Sequence, residues 1–190
     1  MRYIVCVVIL CLSFIGQAQA QRYLPGMKGL QFTGGLSDNI QFKNGDGFGF
    51  HAGVALSTYT KNANRWVIGA EYLEKQFDYK NKLYPVAQIT GEGGYYMMFL
   101  SDPKKIFFTS LGVSALAGYE SVNWGNRMLP DGSTLLNEDN FIYGGALTLE
   151  LESYISDRVV LLINARQRVL FGGDCGNFRT QIGAGIKIIM

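Results

Sequence analysis

The stretch YGGALTLELESYISDRVVLLINARQRVLFGG, residues 143–173, sets Glu150, Glu152, Arg166 and Arg168 among leucines, valines and isoleucines. A helix would repeat its apolar face at steps of three and four residues, and this stretch does not. At a step of two, Tyr143, Gly145, Leu147, Leu149 and Leu151 fall on one side and Gly144, Ala146, Thr148, Glu150 and Glu152 on the other. That is a strand with two unlike faces. Val159, Leu161, Ile163, Ala165 and Val169 repeat the pattern, alternating with Asn164, Arg166 and Arg168. Between the runs, ISD at 155–157 predicts a tight turn that sets Arg166 opposite Ala146.

Whether the apolar face meets a protein core or lipid depends on where the chain resides. Arg2 supplies a positive start, residues 4–15 (IVCVVILCLSFI) an apolar run, and Ala18-Gln19-Ala20 a small-x-small cleavage pattern. These are the parts of a secretory signal peptide over residues 1–20, and the run is shorter than the ~20 residues of a spanning helix. Residues 21–190 then make one domain. The formal charge of +2 loses Arg2 with the signal, which argues against nucleic acid or an acidic substrate as partner. Cys6 and Cys11 leave with it, so Cys175 has no internal disulfide partner.

Strands are predicted at 28–36, 47–59, 65–79, 83–100, 105–120, 139–154, 158–171 and 177–190. Their connections alternate between tight (TKNANR, LSDPKK, ISD) and, on the whole, longer (SDNIQFKNGD, SVNWGNRMLPDGSTLLNED). Most exceed the 9 to 11 or so residues of a tilted spanning strand. Aromatics gather at their ends: Tyr59 with Trp66, Phe99 with Phe107, Tyr119 with Phe141, Phe171 with Phe178. An even number of strands, alternating connections and aromatic girdles together predict an all-β, up-and-down antiparallel barrel of about eight strands and of outer-membrane type.

With the apolar face toward lipid, the polar face points into the lumen. Extending the parity places Gln31, Thr33, His51, Ser57, Glu71, Gln88, Thr90, Glu92, Ser110, Ser114, Glu150, Glu152, Arg166, Arg168, Gln181 and Lys187 inside. Four carboxylates, Glu71, Glu92, Glu150 and Glu152, then face three cations, Arg166, Arg168 and Lys187. An eight-stranded lumen has room only for side chains, so these groups must pair with one another.

Two other classes compete. A soluble, lipocalin-like barrel would turn the aliphatic face inward around an apolar ligand. A barrel enzyme would need a nucleophile beside the chain's one histidine, His51. Ser57, six residues away on the same strand, lies about 20 Å from it, and nothing selects Thr33 or Glu71 as a partner. No metal or cofactor motif occurs: Asp38, Asn39, Asn44 and Asp46 have turn chemistry and not the spacing of a calcium loop.

The blocks QRYLPGMKG (21–29), NRWVIGAEYLEK (64–75), GEGGYY (91–96), FLSD (99–102), AGYE (117–120), NWG (123–125) and YGGALTLELESY (143–154) resemble the TraO family of conjugative transposon proteins over essentially all of residues 21–190. The resemblance implies a part in DNA transfer between bacteria, as a component of a conjugation apparatus in a cell with an outer membrane, with other transfer proteins as partners. It implies no catalytic motif. Relatives often carry Cys where Tyr23 stands, so no thiol role near the mature N-terminus carries over.

An even strand number returns the chain to its starting side, so both ends and the tight turns are predicted to be periplasmic and the 121–139 connection external. An epitope inserted at Asp131-Gly132 is expected to label on intact cells. Labelling only after permeabilisation would reverse the orientation.

Overall fold

The computed structural model describes residues 24–37, 49–79, 82–122, 139–173 and 177–190. The signal segment, Asp38 and Asp46, most of the 121–139 connection and Cys175 lie outside the described residues. Eight antiparallel strands follow in chain order: β1 (Lys28–Ser37), β2 (Gly49–Tyr59), β3 (Arg65–Tyr79), β4 (Lys82–Ser101), β5 (Phe107–Val122), β6 (Asn140–Tyr154), β7 (Val159–Phe171) and β8 (Phe178–Ile189). Each pairs with its neighbours in sequence, and β1 pairs with β8 from Gly29↔Ile189 to Ser37↔Gln181, closing the barrel. Closure leaves no strand edge in the wall, which in hydrocarbon would expose unpaired backbone groups.

Period-two alternation sets the wall. On β6, Ile142, Ala146, Thr148, Glu150 and Glu152 are buried, while Tyr143, Leu147, Leu149 and Leu151 are exposed. On β8, Arg179, Gln181, Lys187 and Ile189 are buried, while Phe178, Ile182, Ile186 and Ile188 are exposed. Aliphatic side chains are thus turned outward around the whole circumference, at 47% exposure for Leu149 and 41% for Leu161. A soluble ligand-binding barrel requires the opposite orientation, so the lipocalin-like alternative does not match these faces.

Local chemistry sets the tight connections. Between β2 and β3, Asn62 (φ 60°) and Ala63 (φ 58°) are both left-handed, a conformation that Asn accepts and Ala disfavours. The turn is tied by Thr60 N–H donating to Asn64 O at 2.7 Å. Between β4 and β5, Lys105 also has positive φ, and its N–H donates to Asp102 O at 2.8 Å. β5 therefore starts at Phe107, two residues later than the alternation suggests. A bulge between Met98 and Leu100 interrupts the β4–β5 register and leaves Phe99 and Leu100 both exposed, as an extra residue in one strand requires.

The β6–β7 turn corrects one expectation. Ile155 and Ser156 N–H both donate to Val159 O, at 3.0 and 3.2 Å, and Ser156 Oγ accepts from Val159 N–H at 3.1 Å. The wider turn pairs Tyr154 with Val160, so Arg166 lies opposite Thr148 and not Ala146.

The girdle also needs one correction. Trp66, Phe99, Phe107, Tyr119, Phe141, Phe171 and Phe178 are exposed at strand ends, and Trp66 meets Tyr95 with ring centroids 4.9 Å apart. Tyr59, expected beside Trp66, is only 1% exposed. It shares the parity of Ser57 and turns inward, where its hydroxyl finds charged partners.

Replacing Leu149 or Leu161 by Arg is expected to cost about 2–4 kcal/mol of stability in liposomes, read from urea titrations of the folded barrel. A change below about 1 kcal/mol at both positions would contradict contact with lipid.

Candidate functional site

The described lumen-facing side chains lie in levels from the tight-turn end upward. At that end Tyr59, Phe108, Tyr154, Val160, Leu162 and Ile189 form an apolar cluster, with Met27 and Met98 packed against it. Met27 is held there because the chain turns before β1: Gly26, at φ +92°, donates its N–H to Tyr59 O, and Tyr59 N–H donates to Met27 O, both at 2.8 Å.

Above this cluster lies the first charge group. Arg65 Nη2 meets Glu150 Oε1 at 2.5 Å, and its Nη1 lies 3.4 Å from Glu152 Oε1 and donates to Ser110 Oγ at 3.1 Å. Lys187 Nζ pairs with Glu152 Oε1 and lies 3.6 Å from Glu150 Oε1. Aromatic faces border both cations: the Arg65 guanidinium lies 4.9 Å from the Tyr96 ring centroid, and Lys187 Nζ lies 5.6 Å from that of Tyr59. Such placement is favourable to a desolvated cation.

A second group occupies the middle. Arg166 pairs with Glu92 at 2.8 Å and Glu71 at 3.2 Å, and donates to Thr148 Oγ1 at 3.0 Å and Tyr96 Oη at 3.1 Å. Arg168 pairs with Glu71 at 2.7 Å and donates to Thr90 Oγ1 at 3.1 Å. Gln181 Nε2 donates to Glu71 Oε1 at 2.8 Å. Toward the loop end, Glu120 accepts from Gln88 Nε2 at 2.5 Å and lies 3.8 Å from Arg179.

All seven charged residues expected inside, Glu71, Glu92, Glu150, Glu152, Arg166, Arg168 and Lys187, face the lumen, but in two groups. Arg166 takes Glu71 and Glu92 from the opposite wall, whereas Glu150 takes Arg65 and Lys187. The count of four carboxylates to three cations is also corrected, because Glu120, Arg65 and Arg179 join them, each 1% exposed. Among these described residues, five carboxylates then face five cations, and they pair with one another as burial demands. The signal for these three lay in the parity itself. Arg65 shares the face of Glu71, Arg179 that of Gln181, and Glu120 that of Ser110 and Ser114.

Gln31, Thr33, His51, Glu71, Asn164 and Gln181 border a cavity of about 20 Å³, room for about one water. Gln31 Oε1, His51 Nδ1 and Gln181 Oε1 are buried beside it without a protein partner, the kind of groups such a water satisfies. Ser57 is not at this cavity; its hydroxyl donates to Gly29 O at 3.0 Å. Both oxygens of Glu71 are engaged by Arg166, Arg168 and Gln181. Glu71, which shares this cavity with His51, is thus held by two arginines and an amide. Among the described residues no group of three or more His, Cys, Asp or Glu is placed to hold a metal.

A closed eight-stranded wall, aliphatic outside and ion-paired inside, defines the class as a small outer-membrane-type β-barrel. Solved structures share the fold. Neisserial surface protein A (NspA) matches with TM-score 0.52 at 14% identity, covering 87% of this chain and 97% of its own. Ail, the attachment invasion locus protein of Yersinia pestis, solved with the heparin analogue sucrose octasulfate, matches with TM-score 0.52 at 9% identity, covering 88% and 100%. No curated protein matches. The chain belongs to the TraO family: the model of conjugative transposon protein TraO matches residues 24–190.

Removing Glu150 tests the division of charges. Glu150→Leu leaves Arg65 and Lys187 to share Glu152 and is expected to cost about 3–5 kcal/mol. Adding Arg65→Leu restores the balance and should recover part of the loss, whereas adding Arg166→Leu should not. Urea unfolding of the single and double variants in liposomes measures this; equal recovery from both would mean one undivided network.

Proposed function

We propose that the chain is an outer-membrane component of a conjugation apparatus encoded by a mobile element, acting as a scaffold whose lumen is plugged by its own charged side chains. Export through a cleaved signal over residues 1–20 delivers it to the outer membrane, where lipid and other transfer proteins are its partners. Neither nucleic acid nor a cofactor is a ligand in this reading, and its role is structural, not enzymatic. Membership of the family supports the process, and the outward aliphatic faces support the location.

One observation carries the scaffold role. Side chains of opposite sign bridge the lumen at successive levels, Arg65 to Glu150 and Arg166 to Glu71 and Glu92, over the apolar cluster of Tyr59, Phe108 and Tyr154. A DNA strand is wider than an interior already packed with side chains. To open a path, these charges would have to separate in a medium of low dielectric, at several kcal/mol for each ion left unpaired.

The purified barrel is therefore expected to give no large, stable conductance in planar bilayers; steady channel currents would overturn the plugged lumen. Deleting the gene in a donor should abolish transfer of the element, and affinity purification from donor membranes should recover other transfer proteins with the barrel. Unchanged transfer frequency would remove the conjugative role itself.

A further inference from the structure

We propose that the tight-turn end of the barrel carries a ring of cations that binds the headgroups of anionic phospholipids. The inference rests on the membrane reading above and adds a lipid preference to it. Lys28, Lys61, Lys104, Lys105 and Arg158 are exposed at this end. Among the described residues there, Asp102 and Asp157 oppose them, and Asp102 Oδ2 is drawn into its own turn, accepting from Lys104 N–H at 3.2 Å. By sequence the two longest connections at the opposite end lean the other way, with Asp38, Asp46, Asp131, Glu138 and Asp139 against Lys43 and Arg127.

Position identifies the occupant. Lys61 lies in the β2–β3 turn, Lys104 and Lys105 in the β4–β5 turn, Arg158 in the β6–β7 turn, and Lys28 at the start of β1 where β8 closes. Every connection at this end thus supplies a cation, spread around the perimeter. An acidic peptide would meet one or two of them, whereas the lipid annulus meets all. Trp66, packed against the half-buried Tyr95, is exposed just inside the ring, as are Phe99 and Phe107. Aromatics of this kind sit at the boundary between hydrocarbon and headgroups, so cations a few residues beyond them stand at the height of lipid phosphates. Lysine is suited to this, its stem lying along apolar surface while the ammonium reaches the phosphate. A basic residue near an anionic leaflet contributes about 1 kcal/mol.

Trp66 is a built-in reporter, lying on the hairpin that carries Lys61. In a Trp124→Phe background it is the single tryptophan. The barrel is refolded into phosphatidylcholine vesicles containing either brominated phosphatidylglycerol or brominated phosphatidylcholine, and quenching of Trp66 gives the relative binding constant of the two lipids beside it. The expected preference for phosphatidylglycerol is about five-fold, the ratio that about 1 kcal/mol per cation gives. It should fall toward one in Lys61→Gln and weaken in 0.5 M NaCl, at about which the screening length falls to only a few ångströms.

Equal quenching by both lipids in the parent protein would overturn the proposal. A preference retained in Lys61→Gln would do the same. No lipid preference, together with tight binding of a soluble polyglutamate peptide to the detergent-solubilised barrel, would assign the ring to an acidic protein partner instead. Folding in pure phosphatidylcholine, followed as protection from protease, is read separately for each variant. Failure of the parent to fold in any vesicle would count against the membrane reading, whereas folding with equal quenching would remove only the cation ring.

Discussion

The charge pairing inside the barrel is the constraint to which the rest of the structure conforms. Eight strands enclose little more than the volume of their own side chains, yet this lumen takes in arginines, a lysine and glutamates that reach across it from opposite walls. Space for them comes from glycine. A Cβ on Gly29 would lie 3.2 Å from the Lys187 stem, and one on Gly112 would lie 2.5 Å from the Tyr96 ring. Tyr96 in turn flanks Arg65 and accepts from Arg166, so the bare backbone at Gly112 leaves space for a ring that touches both charge groups. Abundant glycine in these strands reflects a crowded interior more than a flexible wall.

Much of this was legible because the period-two pattern is strong and uninterrupted. Charged residues at Glu150, Glu152, Arg166 and Arg168 could alternate with leucines only on a wall with two solvents, and the strand spans follow to within two residues. The inward residues that the sequence reading left out sit at strand ends. Arg65 reads as part of a polar turn and Tyr59 as part of a girdle, yet both point inward because the face assignment continues to the last paired residue. Register was harder. It turns on details such as the Ser156 hydroxyl bonding and the left-handed Asn62 and Ala63, which composition does not specify.

Pairing partners were out of reach of sequence for a different reason. Arg166 and Glu71 are 95 residues apart and lie on β7 and β3, which are neither a hairpin nor neighbours in the sheet. They meet because closing the sheet with a particular stagger brings β7 across the lumen from β3. No local rule fixes that stagger; it accumulates from the registers of all eight pairings, including β1 with β8. Pairing of the buried charges is legible afterwards as a condition on the described lumen, and it draws in the end residues Arg65, Glu120 and Arg179.

The same wall also has unequal height. β3 to β6 run for 15, 20, 16 and 15 residues, while β1, β2, β7 and β8 run for 10, 11, 13 and 12. At about 3.3 Å per residue, the tall side rises beyond what a hydrocarbon layer about 25 Å high requires of tilted strands. The outer face marks where that excess begins, because Tyr72 Oη donates to the outward-facing Glu74 at 2.6 Å beside the Phe50 ring. A carboxylate on the outer face belongs near the interface and not at mid-membrane. The strands continue to pair above it, with β3 and β4 reaching Tyr79↔Lys82. Under the scaffold role proposed above, the paired lower barrel would hold position in the membrane and the one-sided extension would offer a surface to other transfer proteins.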